Sequence, residues 1–247
     1  MNRHDLKVVL FDLGGTLMYE KEPWPPIFAR AEQALQQALN SQGLRLDPET
    51  YGTAPSFLNF YNDRREGRSD GAEEISADLM LELLGKNGRR DVSEAAIQTA
   101  LRAMYEVTQT NWIPEADALP TLQKLKEDQY RIGLISNAAD DENTQRLIDK
   151  GGFRPYLDFI VSSAACGIRK PDPRIYQLAL DHFKVPPAQA VMIGDSLEAD
   201  VAGGRQAGLH TIWIARRAQS SRDASAGISP SLRVNSLSEI PEVLSRL

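Results

Sequence analysis

Five short, unbroken apolar runs constrain this chain more than any other feature in it. Val8–Phe11 is the first, and Arg131–Ser136, Phe159–Ser163, Ala190–Ile193 and Thr211–Ala215 share its character. Runs of this length without polar alternation are what strands covered on both faces look like. Helical patterns lie between them. Leu119, Leu122 and Leu125 fall at one-face spacing, Ile175–Phe183 form a second candidate helix and Ala199–Ala207 a third. Strands alternating with helices predict an α/β fold with a parallel sheet and right-handed crossovers. Such sheets bind ligands beyond the carboxyl ends of their strands.

The rhythm breaks between Met18 and Asn111. Ile27–Leu39 read as an amphipathic helix stopped by Gly43, and Phe57–Tyr61, Ile75–Leu84 and Ile97–Tyr105 suggest three more. No strand-like run interrupts them, so the expectation is a small helical domain over 19–111, inserted into a core made of 1–18 and 112–247. Prolines in Glu22–Pro26 and Asn111–Pro114 restrict the backbone at its two edges and favour turns there.

The chain's 247 residues can bury a substantial core. A formal charge of −6 argues against nucleic acid or an anionic membrane as partner. No run approaches the roughly 18 apolar residues of a membrane span, and the first strand follows so closely on residue 1 that no signal segment is expected. The single cysteine, Cys166, has no internal partner, which suits a reducing cytoplasm. It sits among small residues and reads as structural, and His4, His182 and His210 lack metal-ligand spacing. Arg216–Ser231 reads as a surface loop. Oligomeric state is not legible.

Four places carry chemistry, each just after a predicted strand. In "VVLFDLGGTL", Asp12 ends the first strand before Gly14, Gly15 and Thr16. A strand-end carboxylate in a glycine turn can attack phosphorus, hold a metal or simply cap a turn. Ser136 and Asn137 in "IGLISNA" can offer a hydroxyl and backbone amides to phosphate oxygens, or form an ordinary turn. Lys170 in "GIRKPDPRIY" is held by flanking prolines and can balance carboxylate or phosphate charge. In "VMIGDSLEADVAGGRQAG", Asp195 can ligate Mg²⁺, with Ser196 and Asp200 supporting it from behind.

Together, "FDLGGTL", "ISN", "RKPDPRIY" and "GDSLEADVAGGRQAG" resemble the haloacid dehalogenase superfamily, in particular its phosphatase-type branch with a helical cap after strand one. The resemblance covers about 1–18 and 112–247; the cap matches in position and helical character only. It implies a Rossmann-like core, and an Asp12 nucleophile that forms an aspartyl-phosphate. It also implies Mg²⁺ on Asp12, the carbonyl of Gly14 and Asp195, with Thr16 and Ser136 positioning the phosphoryl group and Lys170 balancing charge. A small phosphorylated molecule is the expected substrate, with Asn137, Tyr19 and Glu20 lining its site and Trp24 at the cap hinge. "DLGGT" also opens the phosphate-binding hairpin of sugar kinases, but "MYEKEPWPP" and helices follow it here instead of a second hairpin strand.

Gly14 departs from the family pattern. The superfamily's phosphatases carry there a second Asp that protonates the leaving oxygen and then activates water. Losing such a group typically costs about 10²–10⁴-fold. Glu20, Glu22, Asp140 and Asp141 are candidate substitutes, and a substrate with a good leaving group is another solution. Two further readings remain open: a bond other than a phosphoester, or a weakly active phosphometabolite-binding protein. The carbon–phosphorus branch uses a Schiff-base lysine from its cap; Lys21 and Lys86 are the only lysines of the helical insert here, and Lys86 sits in a glycine-flanked polar turn.

Overall fold

The five apolar runs lie side by side in one sheet. The structure, a computed structural model, describes residues 6–68, 70–217, 227–244 and 247. In chain order the strands are β1 (Val8–Phe11), β2 (Met18–Glu20), β3 (Trp112–Pro114), β4 (Arg131–Ser136), β5 (Phe159–Ser162), β6 (Ala190–Gly194), β7 (His210–Ile214) and β8 (Leu232–Val234). The helices are α1 (Trp24–Ser41), α2 (Phe57–Glu66), α3 (Ser76–Lys86), α4 (Glu94–Gln109), α5 (Ala118–Glu127), α6 (Asp141–Lys150), α7 (Ser163–Cys166), α8 (Pro173–Phe183), α9 (Gly203–Gln206) and α10 (Ile240–Val243).

Six strands form the main sheet in the order β5-β4-β1-β6-β7-β8, all parallel. The fold is therefore α/β, as the alternation of runs and helical patterns predicts. β1 lies inside the sheet with every residue buried, which explains its unbroken apolar run. Its side chains alternate between faces: Val9 and Phe11 pack with Ile132, Leu134, Val191 and Ile193. Val8 and Leu10 face the other way, toward Ile175, Tyr176 and Ala179 of α8.

Four expectations need correction. The edge strand β8 was not expected; only Val234 of its three residues is buried, and exposed Arg233 sits in the middle. Met18–Glu20 and Trp112–Pro114 are short strands that pair antiparallel with each other, so a strand does follow "DLGGT". It pairs with β3 instead of forming a hairpin with β1, and it straddles the expected domain edge. Leu119 is 38% exposed, while Ala118, Leu122 and Leu125 carry the buried face of α5. Ala199–Ala207 is also not one helix: Leu197–Ala202 is a π-helical turn that leads into the short α9.

α1 to α4 pack around a cluster of their own that includes Leu35, Leu39, Leu83, Leu101 and Met104. The two chain passages into this helical region are clamped together by Asn111. Its amide donates to the Glu22 carbonyl at 2.9 Å and its oxygen accepts from the Glu22 N–H at 2.8 Å. Among the described residues no helix is long and apolar enough to cross a membrane.

Truncation should separate the core from its rim. Ile193→Ala, at a fully buried site in β6, should cost about 2–5 kcal/mol in urea denaturation. Leu119→Ala should stay within about 0.5 kcal/mol of wild type.

Candidate active site

The chemically loaded residues gather beyond the carboxyl ends of β1, β4 and β6. Asp12 leaves β1 with its N–H bonded to the Ile193 carbonyl at 2.9 Å. The chain then turns tightly: the Leu17 and Met18 N–H groups both reach the Leu13 carbonyl at 2.9 Å, and Gly15 has φ of +84°. A Cβ on Gly15 would stand 2.3 Å from Asp195 Oδ2. The turn therefore needs glycine both for its left-handed backbone and for the close approach of that carboxylate.

Lys170 is buried and bridges two carboxylates, with Nζ 2.7 Å from Asp12 Oδ1 and 2.6 Å from Asp200 Oδ1. Asn137 fixes the backbone beneath it. The Asn137 side chain accepts from the Lys170 N–H at 2.8 Å and donates to the Lys170 carbonyl at 2.9 Å. Asp200 Oδ2 accepts from the Ser196 N–H at 3.0 Å, and Ser196 Oγ accepts from the Ala199 N–H at 3.0 Å. The π-helical turn follows from this arrangement, since the Asp200 and Val201 N–H groups both fold back to the Ser196 carbonyl. On the other side of the loop, the Trp213 indole N–H holds the Asp195 carbonyl at 2.8 Å.

Carboxylate oxygens of Asp12, Asp195 and Asp200 lie within 4.8 Å of one another. Both Asp200 oxygens are already engaged, by Lys170 and by the Ser196 amide. Asp12 and Asp195 thus offer the more available oxygens, a hard donor set suited to a divalent cation such as Mg²⁺. The electrostatics fit a cation as well. Burial pushes Asp12 up to about 6 against the pull of Lys170. Burial, then the charges of Asp12 and Asp200, push Asp195 up to about 8. Burial works against the charge on Lys170, but the two carboxylates outweigh it and hold its pKa above the usual lysine range. One lysine thus faces three crowded carboxylates, and a bound cation relieves the excess negative charge.

These groups line a cavity of about 380 Å³ together with Ser136 and Asn137. Thr16 is buried behind it, its Oγ1 without a hydrogen-bond partner. Gly14 lines the cavity under the indole of Trp112, and a Cβ there would meet Trp112 Cη2 at 2.9 Å. Trp24 in turn lies against Trp112 with ring centroids 5.3 Å apart.

Tyr19 and Glu20 are not among the residues lining this cavity. They follow the glycine turn in sequence but sit in β2, where the Tyr19 ring faces Arg217 at 4.3 Å. The four substitute acids lie elsewhere too: Glu20 and Glu22 are exposed, Asp140 caps α6 through the Asn143 N–H and Asp141 accepts from Ser162 Oγ. Among the described residues, the cavity's carboxylates are Asp12, Asp195 and Asp200. Sequence reasoning missed Trp112, Arg65 and Arg169, all of which line it. Trp112 reads as part of a proline turn, and no local pattern singles out either arginine. His182 packs against Phe159 and Phe183. His4 and residues 218–226 of the expected loop lie outside the described residues. Arg216 and Arg217 at that loop's start are ion-paired to Glu115, and Arg216 also to Asp117.

A carboxylate cluster beyond the carboxyl ends of parallel strands is where an α/β hydrolase does its chemistry. The family model described as haloacid dehalogenase-like hydrolase matches residues 6–208, and the chain belongs to that family. It is 34% identical over 127 residues to the phosphoserine phosphatase of Thermus thermophilus; the match spans 51% of this chain and only 49% of that protein. The glyceraldehyde 3-phosphate phosphatase of Methanopyrus kandleri is 27% identical over 218 residues, covering 85% of this chain and 84% of its own length. Among solved structures, a 2-haloacid dehalogenase from Pseudomonas syringae pv. tomato superposes with a TM-score of 0.69 at 27% identity. That alignment covers 98% of this chain and 99% of that one.

Asp12 and Asp195 hold protons more tightly folded than unfolded, where the reference value is 3.8. The metal-free fold should therefore lose stability as pH rises from about 4 to about 8. Mg²⁺ binds the deprotonated groups, so the rise in Tm on adding it should be larger at pH 8 than at pH 5.5. Asp195→Asn should flatten the pH dependence and remove the Mg²⁺ response in thermal melts run against EDTA controls.

Proposed function

We propose that this protein is a Mg²⁺-dependent phosphatase of small phosphorylated metabolites, acting through Asp12. The reading places it in the cytoplasm, with residues 19–111 serving as a helical cap over a core of 1–18 and 112–247. One observation carries it: Lys170 holds one oxygen of Asp12, on the floor of a cavity that also contains Ser136 and the cation-competent Asp195. Relatives named as phosphatases support it.

In this mechanism the free Asp12 oxygen attacks phosphorus as the ester P–O bond breaks, giving an aspartyl-phosphate and the leaving group as its anion, which takes its proton from water. The Ser136 hydroxyl donates to a phosphoryl oxygen. Lys170 and Asp200 keep Asp12 oriented and balance its charge. Asp12, the Gly14 carbonyl and Asp195 would hold Mg²⁺, which supplies charge neutralisation at the phosphoryl group. Water then cleaves the aspartyl-phosphate, releasing phosphate and restoring Asp12. Gly14 can neither protonate the leaving oxygen nor activate that water, and the carboxylates lining the cavity are all committed to the nucleophile and cation cluster. The enzyme should therefore favour substrates with acidic leaving groups, such as acyl phosphates, and be slow on alkyl phosphates.

A second reading, hydrolysis of a carbon–halogen bond by Asp12, is favoured by the indole over Gly14 and by the dehalogenase among the structural relatives. Assays separate the two. With Mg²⁺, acetyl phosphate should turn over faster than an alkyl phosphate, and Asp12→Asn or EDTA should abolish both activities. Gly14→Asp alone should gain little, because its side chain enters the space of Trp112. Gly14→Asp with Trp112→Ala should raise alkyl phosphate turnover by at least about tenfold. Halide release from 2-chloropropionate in EDTA, without phosphate release, would overturn the phosphatase reading. Tight phosphate binding without turnover would point to a binding protein.

A further inference from the structure

We infer that Arg65 and Arg169 form a receptor for a second anionic group, a carboxylate or a second phosphate, on the substrate whose phosphoryl group Asp12 attacks. The inference rests on the phosphatase reading and narrows its substrate class.

Both arginines line the cavity that holds Asp12. They also line an adjoining one of about 690 Å³, and the two cavities share Asn137 and Lys170 as well. Arg65 comes from α2 and Arg169 from the core, beside Lys170. Arg169 Nη1 approaches the Arg65 carbonyl at 3.5 Å, so the two residues meet at this junction. In each, Nε is buried and has no hydrogen-bond partner. Buried unpaired donors are costly, and those on a guanidinium more so, so both arginines sit at this cavity with hydrogen-bonding capacity that the described residues leave unused.

The neighbouring charges do not supply that acceptor. Arg64 is paired with Glu74 and Glu82, and Arg68 with Asp70 and Glu74. Arg65 lies between them and has no carboxylate within ion-pairing distance among the described residues; its guanidinium faces the Tyr61 ring at 5.7 Å. The carboxylate nearest to Arg169 is Glu73, 3.9 Å away and too far for a hydrogen bond. Glu73 already accepts from Ser163 Oγ at 2.5 Å and from the Tyr61 hydroxyl at 2.9 Å. In the outer cavity, Asp70 is held by Arg68 and Asp172 by Arg174, while Glu66 and Glu198 are exposed. Lys170 is committed to Asp12 and Asp200. Arg65 thus has no carboxylate partner among the described residues and Arg169 only the long contact to Glu73, and their planar forks suit carboxylate or phosphate oxygens. Combined volumes of this order accommodate a small metabolite carrying both groups.

The test is calorimetric titration of the protein in excess Mg²⁺ with three inert phosphonates: propylphosphonate, 3-phosphonopropionate and propane-1,3-diphosphonate. Wild type should bind at least one of the two-anion ligands about tenfold or more tightly than propylphosphonate. The preferred one tells carboxylate from phosphate. Arg65→Gln and Arg169→Gln should each bring that ratio close to one, and Arg65→Lys, which keeps the charge but not the fork, should retain part of it. The ratio is read within each protein, so a general loss of folded material does not mimic the effect. Equal binding of all three ligands by wild type, or an unchanged ratio in both glutamine variants, would overturn the inference. Equal binding together with Asp12-dependent phosphatase turnover would leave the phosphatase reading standing. Failure to bind any phosphonate, without phosphatase turnover, would overturn both.

Discussion

A buried ammonium between two buried carboxylates organises this protein. Lys170 lies 158 positions along the chain from Asp12 and 30 from Asp200, yet Nζ reaches both within hydrogen-bond distance. Removing one partner from such a pair leaves a charge stranded in low dielectric and typically costs about 3–5 kcal/mol. The surrounding structure is arranged to keep that from happening. Asn137 grips the Lys170 backbone through both ends of its amide, Ser196 fixes the second Asp200 oxygen, and the π-helical turn places Asp200 where the lysine needs it. Three strand ends and a proline-flanked loop are thereby locked to one another. The same lock holds one oxygen of Asp12 in place beside the cavity that Asp12 lines.

Much of this was legible because parallel sheets write strongly in sequence. A strand covered on both faces must be apolar throughout, and its ligand chemistry falls just beyond its end. The positions of Asp12, Ser136 and Asp195 therefore followed from their runs. Lys170 stood out only by its prolines and by resemblance. The elements that escaped lack such pressure. β8 is a partly exposed edge strand of three residues, and β3 contains a proline. β2 and β3 form a two-stranded sheet of their own, so neither needs the apolar run of a strand covered on both faces.

The site residues that escaped did so for a different reason. Arg64, Arg65 and Arg68 look alike in "NDRREGR", and nothing local says which will find a carboxylate. Partners arrive from Glu74 and Glu82 after the chain has turned back, and Arg65 is passed over. Tyr19 and Glu20 show the converse. Sequence proximity to the nucleophile suggested contact with substrate, but strand pairing with β3 carries them away from the cavity lining. Asn137, which reads as a phosphate-binding turn residue, has its amide engaged by the lysine backbone instead.

Gly14 and Trp112 belong to one structural decision. Because position 14 has no side chain, the indole can settle over the turn, where a Cβ would already lie within 2.9 Å of it. Trp112 is also the first residue of β3, and it packs against Trp24 at the start of α1. The group that covers position 14 is thus held by both passages into the helical region. This removes an acid from the cavity and puts an apolar wall beside Asp12, whose carboxyl burial already holds above the usual range. In the proposed phosphatase reaction, an apolar wall disfavours charge on a leaving oxygen that no carboxylate at position 14 can protonate, which favours leaving groups that do not need a proton. The missing carboxylate and the tryptophan above it act together: restoring the first without moving the second changes the residue but not the space available to it.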